Sequence, residues 1–259
     1  MRIKARKVQG LRSNLCIAHA GVDRHQDGPL LLLLHGALRS AENLMPWSSR
    51  WVEEFDVALI DLPGHGRSDP PPAATFRDFV DEVRFLVRDT FGHRRVVIIG
   101  ESFGGMLGLA AGNGPPSNLA AVVALDPPLA TAKLWPVIAN MRGALAMHPD
   151  HAFLRNFAWE IFGVRAGLET PADRQYHEHL ARLEVPTLVL AGDRLLEHPG
   201  ESGASYSVLD EADRARLRAA PLSFEVIAGA GHRLIDECPG AVYTAVHRFI
   251  APPKTARSR

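Results

Sequence analysis

Apolar positions along this chain recur with two alternating periods, and the alternation predicts a fold class before any single residue is considered. Leu30–Leu34 and Val96–Ile99 are short apolar runs without polar interruption, the pattern of strands buried on both faces. Asp56–Ile60, Ala121–Leu125, Pro186–Ala191 and Phe224–Ile227 read as further short strands. Helical spacing fills the intervals. It is seen over Asn43–Glu54, over Thr75–Phe91 (Phe76, Phe79, Val80, Val83 and Val87 on one face), from Ser102 to about Gly112, and over Leu209–Ala219 and Gly240–Ile250. Residues 2–8 and 14–20 read as two strands joined by a turn, an antiparallel hairpin at the sheet edge. Strand and helix in turn predict an α/β protein with a mostly parallel sheet flanked by helices.

The alternation stops between Pro127 and Glu184. That stretch is helix-like, lacks a clear strand, and is rich in Trp135, Met141, Phe153, Phe157, Trp159 and Phe162. The chain therefore divides into a core, 1–126 and 185–259, and a helical insertion, 127–184, placed after the sixth strand.

Composition narrows the function classes. At 259 residues the chain can bury a substantial core, and its formal net charge of zero offers no basic excess for nucleic acid. The longest apolar run, Leu30–Leu34, is far too short to cross a bilayer, and residues 1–20 offer no continuous apolar stretch of the signal-peptide kind. Cys16 and Cys238 lack metal-ligand spacing and read as reduced, unpaired thiols. The expectation is a cytoplasmic protein, monomer or homodimer, with no membrane and no nucleic-acid partner.

Chemistry enters at Gly100-Glu101-Ser102-Phe103-Gly104. A strand precedes it, and the small-residue stretch Gly105-Met-Leu-Gly-Leu-Ala-Ala111 follows, suited to a helix packed closely on a sheet. A serine on such a strand-to-helix turn needs small neighbours so that the strained turn can form, and the helix N-terminus behind it favours developing negative charge. A serine hydroxyl is a weak nucleophile until a base takes its proton. Of the twelve histidines, His232 is the best candidate, because its Gly-rich loop, Gly229-Ala-Gly-His232, follows the last strand and reaches the same sheet edge. His177 and His179 are two apart, do not face the same way on a helix, and do not suggest a metal site.

Four motifs together resemble the α/β-hydrolase family over nearly the whole chain. They are His35-Gly36-Ala37-Leu38 after the third strand, Asp61-Leu-Pro-Gly-His-Gly-Arg-Ser-Asp69 after the fourth, the Gly100–Gly105 elbow, and the His232 loop with Glu237 and Pro239 behind it. The resemblance implies an eight-stranded α/β-hydrolase sheet with a helical cap inserted after strand 6. It also implies Ser102 as nucleophile, His232 as base, and an oxyanion hole made by the backbone N–H groups of Ala37 and Phe103, with no metal or organic cofactor. His35 and His65 belong to motif loops and read as structural.

The acid departs from the family pattern. The usual Gly-x-x-Asp after the seventh strand is Gly192-Asp193-Arg194-Leu195 here, with leucine where the carboxylate is expected. Three carboxylates compete: Asp126 at the end of the sixth strand, which is preferred, then Asp193, then Glu197. In the insertion, Trp135, Met141, Phe157 and Trp159 are candidates to line an apolar substrate pocket, against the alternative that they glue the cap to the sheet. The expected activity is hydrolysis of a small, largely apolar carboxylic ester or thioester through an acyl-enzyme. The alternatives are a C–C bond hydrolase, lactonase or cofactor-free lyase on the same residues, or a receptor-like ligand-binding protein with a weakened triad.

Overall fold

The computed structural model describes residues 4–20, 25, 27–196 and 205–251. Its strands are β1 (Lys4–Gln9), β2 (Asn14–Ala20), β3 (Leu30–Leu34), β4 (Asp56–Ile60), β5 (Val96–Glu101), β6 (Leu119–Leu125), β7 (Thr187–Gly192) and β8 (Ser223–Ile227). They form one eight-stranded sheet in the order β1-β2-β4-β3-β5-β6-β7-β8. β2 is antiparallel to β1 and to β4, and all other pairings are parallel. The expected hairpin is present from Lys4 onward; residues 2 and 3 lie outside the described residues. This is the α/β-hydrolase sheet.

The helices are α1 (Met45–Ser48), α2 (Phe76–Phe85), α3 (Phe103–Ala111), α4 (Trp135–Met147), α5 (Ala152–Phe162), α6 (Glu211–Ala219), α7 (Leu234–Glu237) and α8 (Pro239–Ile250). The two-residue strand period sorts the sheet into two cores. Leu30, Leu32, Leu34, Val96 and Ile98 pack beneath α2 and α3, whereas Leu31, Leu33, Val97 and Ile99 pack against Trp47, Trp51 and the Val242–Val246 face of α8. Each buried leucine or isoleucine contributes about 1.5–3 kcal/mol of hydrophobic stabilisation. Among the described residues, no helix is long and apolar enough to cross a membrane.

Two expected helices differ in form. The 43–54 stretch is a 3-10 turn (Ala41–Leu44) followed by the single turn of α1. The Ser48 and Ser49 hydroxyls donate to the carbonyls of Met45 and Pro46, diverting the acceptors a longer helix would use. The 75–91 helix opens into a π-turn over Leu86–Thr90, and Asn118 Nδ2 donates to the carbonyls of Val87, Phe91 and Arg94 where the helix ends.

The segment between β6 and β7 carries α4, α5 and a 3-10 turn at His177–Leu180. The insertion is not wholly free of β pairing, since Ala130 and Gln175 form an isolated antiparallel bridge.

Close packing of α3 on the sheet makes its glycines unequal to others. A Cβ on Gly104 would collide with the carbonyl of Leu34, whereas one on Gly143, in the exposed middle of α4, would meet nothing within 4 Å. Gly104→Ala is therefore expected to lose about 1–3 kcal/mol of stability by overpacking. Gly143→Ala is expected to gain up to about 1 kcal/mol through helix propensity. Urea unfolding midpoints of the two variants check the opposite signs.

Candidate active site

Ser102 connects β5 to α3 with φ 52° and ψ −113°, a conformation that an L-residue holds only when its surroundings enforce it. Those surroundings are tight: a Cβ on Gly100 would strike the Gly104 backbone. The turn leaves Ser102 Oγ 3.0 Å from His232 Nε2. On the other side of the ring, His232 Nδ1 lies 2.7 Å from Asp126 Oδ2.

Asp126 follows β6 with φ 47° and is fully buried. Its carboxylate accepts two further hydrogen bonds, from the Ser207 hydroxyl (2.6 Å) and the Val208 N–H (2.8 Å). A carboxylate acceptor at Nδ1 requires that nitrogen to carry the proton, which leaves Nε2 free to accept from Ser102. The His232 loop is itself held: Ser205 Oγ accepts from the His232 N–H (2.9 Å), and Glu237, paired with Arg194, accepts from the Gly231 N–H (2.7 Å).

The first competing carboxylate stands elsewhere. Asp193 is exposed, and its Oδ2 accepts from the Gly229 N–H (2.9 Å), so it braces the loop after β8 and does not touch the imidazole. Leu195 pairs with Ser207 in an isolated bridge. Glu197 lies outside the described residues.

Burial alone would lower the pKa of His232. The Asp126 hydrogen bond and charge, followed by the charge of Glu101, outweigh it and raise the imidazole above its usual value. His35 and His65 move the other way. Burial pushes them down to about 3 and about 4, so both are neutral. His35 Nδ1–H donates to the Gly36 carbonyl (2.7 Å) and Nε2 accepts from the Leu62 N–H (2.9 Å), joining the loops after β3 and β4. Asp61 adds to that joint by accepting from the Ala41 and Arg67 N–H groups.

The Ala37 loop runs close beside Ser102: a Cβ on Gly36 would stand 3.4 Å from Ser102 Cβ. Phe103 opens α3, and its N–H therefore has no partner within the helix. Leu38, next in the loop, is 44% exposed and holds φ 57°.

Ser102 and His232 open into a cavity of about 720 Å³. Its apolar lining is Leu38, Val137, Met141 and Phe162, and its charged lining is Arg39, Glu42, Glu101, Arg233 and Asp236. Of the four candidate pocket residues, only Met141 lines this space. Phe157 is fully buried among Phe79, Phe103, Phe153 and His65, anchoring α5 to the sheet side. Trp159 is covered by the guanidiniums of Arg174 and Arg165. Trp135 is exposed at the start of α4 and does not line the cavity.

Sequence reasoning passed over Val137 and Asn140, although with Met141 they form one helix face at i, i+3 and i+4. Ser205, Ser207 and Val208 gave no sequence signal, because they act only through distant partners. Among the described residues, no group of three or more His, Cys, Asp or Glu is arranged to hold a metal ion.

Comparison with known proteins gives the same architecture. A family model for the alpha/beta hydrolase fold matches residues 29–146. The pimeloyl-[acyl-carrier protein] methyl ester esterase of Proteus mirabilis is 31% identical over 110 residues, 42% of this chain and 41% of that protein; the match thus spans less than half of the relative. Carboxylesterase YbfK of Bacillus subtilis is 24% identical over 249 residues, 87% of this chain and 81% of that protein. The crystal structure of E-2-(acetamidomethylene)succinate hydrolase superposes with a TM-score of 0.72 at 22% identity, covering 97% of this chain and all of the other.

A base must be neutral to accept a proton, and the raised His232 pKa sets where that occurs. kcat/KM for any reaction that uses His232 as base is expected to rise with pH along a limb whose midpoint lies above about 6.5, the ordinary imidazole value. Asp126→Asn removes the charge that raises it and is expected to move the midpoint down, whereas Asp193→Asn leaves it in place. A pH–rate profile of the three proteins is the check.

Proposed function

We propose that this chain, which has the α/β-hydrolase fold, is a serine hydrolase of carboxylic esters or thioesters of modest size. The observation that supports this reading is the unbroken relay Ser102 Oγ–His232–Asp126, at 3.0 and 2.7 Å, opening into a cavity large enough for a small acyl compound. The esterase names of the relatives agree with it.

In this reading Ser102 Oγ attacks the carbonyl carbon as His232 Nε2 takes its proton. The Asp126 carboxylate holds the ring and stabilises the imidazolium that forms. The N–H groups of Ala37 and Phe103 receive the oxyanion, a contribution of about 3–4 kcal/mol per donor in sites of this kind. His232 then protonates the leaving alcohol or thiol. Water, activated by the same imidazole, releases the acid and restores Ser102. The hydrogen bond between Asp126 and His232 Nδ1 supports a working triad in spite of the leucine at 195. α4 and α5 act as a cap over the sheet edge. The acyl chain packs along Val137, Met141 and Phe162. The charged residues of the lining suit a leaving group or acyl end that carries polar atoms, a more mixed substrate than the apolar one expected from the insertion's composition.

Ser102→Ala is expected to lower p-nitrophenyl ester hydrolysis by about a thousandfold or more and to abolish labelling by a fluorophosphonate probe. Undiminished hydrolysis in that variant would sink the assignment of Ser102. A panel of short and long acyl esters, thioesters and lactones then ranks the substrate class.

A further inference from the structure

Arg39 lies two residues beyond Ala37 in the loop after β3, and its side chain lines the cavity and is 22% exposed. Its Nη1 reaches Glu101 Oε1 at 3.5 Å and Asp236 Oδ2 at 3.2 Å. Glu101 immediately precedes Ser102 in β5. Asp236 sits in α7, four residues past His232. One guanidinium thus touches all three segments that converge on the hydroxyl–imidazole pair.

Glu101 makes the contact more than incidental. Its side chain is 3% exposed, and its second oxygen has no hydrogen-bond partner among the described residues. A carboxylate in that setting needs a cation, and Arg39 supplies it. Asp236 holds the same cation from the other side while also facing Arg233 at 4.0 Å.

We propose that Arg39 is a positioning residue, whose guanidinium bridge between Glu101 and Asp236 sets the oxyanion-loop backbone and the histidine loop in place against Ser102. This rests on the serine-hydrolase reading for its kinetic consequence, though not for its geometry. Arg39 does not touch the reacting atoms and acts through the segments it joins. The groups facing His232 are Asp126, Glu101 and Arg39, with Asp236 and Arg233 beyond them and Glu42 also lining the cavity. Burial holds the Glu101 carboxyl above the usual carboxylate range, and the charge of Arg39 offsets part of that rise. Without Arg39, Glu101 is neutral over a wider pH range, and its influence on His232 fades.

The test uses Arg39→Met, Arg39→Lys, Glu101→Gln and the Arg39→Met/Glu101→Gln double variant of the full chain. Arg39→Met is expected to lower kcat on a p-nitrophenyl ester by about 10–100-fold with KM held within about threefold, because misplacement by an ångström acts on the transition state. Arg39→Lys, which keeps the charge with fewer donors, is expected to recover part of kcat. His232 is also titrated by NMR, its signal assigned by loss in His232→Gln. Glu101→Gln is expected to lower the His232 midpoint clearly in the parent and much less in the Arg39→Met background.

Parental kcat in Arg39→Met would overturn the proposal, as would equal Glu101→Gln shifts in both backgrounds. If Arg39→Met fails to fold, Asp236→Asn decides instead. A kcat several-fold lower at unchanged KM supports the bridge, and an unchanged kcat defeats it. A parent chain inert toward esters would sink the serine-hydrolase reading alone, since the NMR titration still judges the coupling of Arg39 to Glu101.

Discussion

A carboxylate with no access to water has to be supplied with donors, and the arrangement of the sheet edge follows from how Asp126 receives them. Its three donors come from two places: the His232 ring, and the adjacent Ser207 hydroxyl and Val208 N–H. Asp126 directly follows β6, beside the strand that delivers Ser102. The Ser102 N–H donates to the Leu125 carbonyl and the Asp126 N–H to the Leu190 carbonyl, so β5, β6 and β7 are registered at one level. Parallel strands bring hydroxyl and carboxylate to the same edge, and the imidazole spans the gap between them.

Much of this edge was legible in the chain. Runs such as Leu30–Leu34 and Val96–Ile99 can satisfy their apolar side chains only between two helical layers, so their strand character was plain. Ser102 and His232 were readable because a strained turn and a Gly-rich loop need residues with little else to do. The 43–54 helix was misread in length because side-chain hydroxyls compete locally for carbonyls, a tendency that apolar spacing does not record.

The choice among carboxylates was less legible for a different reason. Asp126, Asp193 and Glu197 all follow parallel strands, and what separates the first two is which donors lie within 3 Å through space. The aromatic residues of the insertion posed a similar problem. Helical spacing assigns Phe157 and Met141 to buried faces, but only the packing of α4 and α5 shows that one face meets the sheet side and the other the cavity.

Leu38, Ser102 and Asp126 are the three non-glycine residues with positive φ among the described residues, and all three border the same edge. Each such conformation costs on the order of 1–3 kcal/mol. Against a typical folding margin of about 5–15 kcal/mol, that is a concentrated load on a small part of the chain. Two of the three carry the hydroxyl and the buried carboxylate that flank the His232 ring, so relaxing them would break that hydrogen-bonded chain. Leu38 bears neither. Laboratory selection for heat resistance should therefore settle first on position 38, where glycine releases backbone tension without touching the relay, and the wall of the cavity would widen as a by-product.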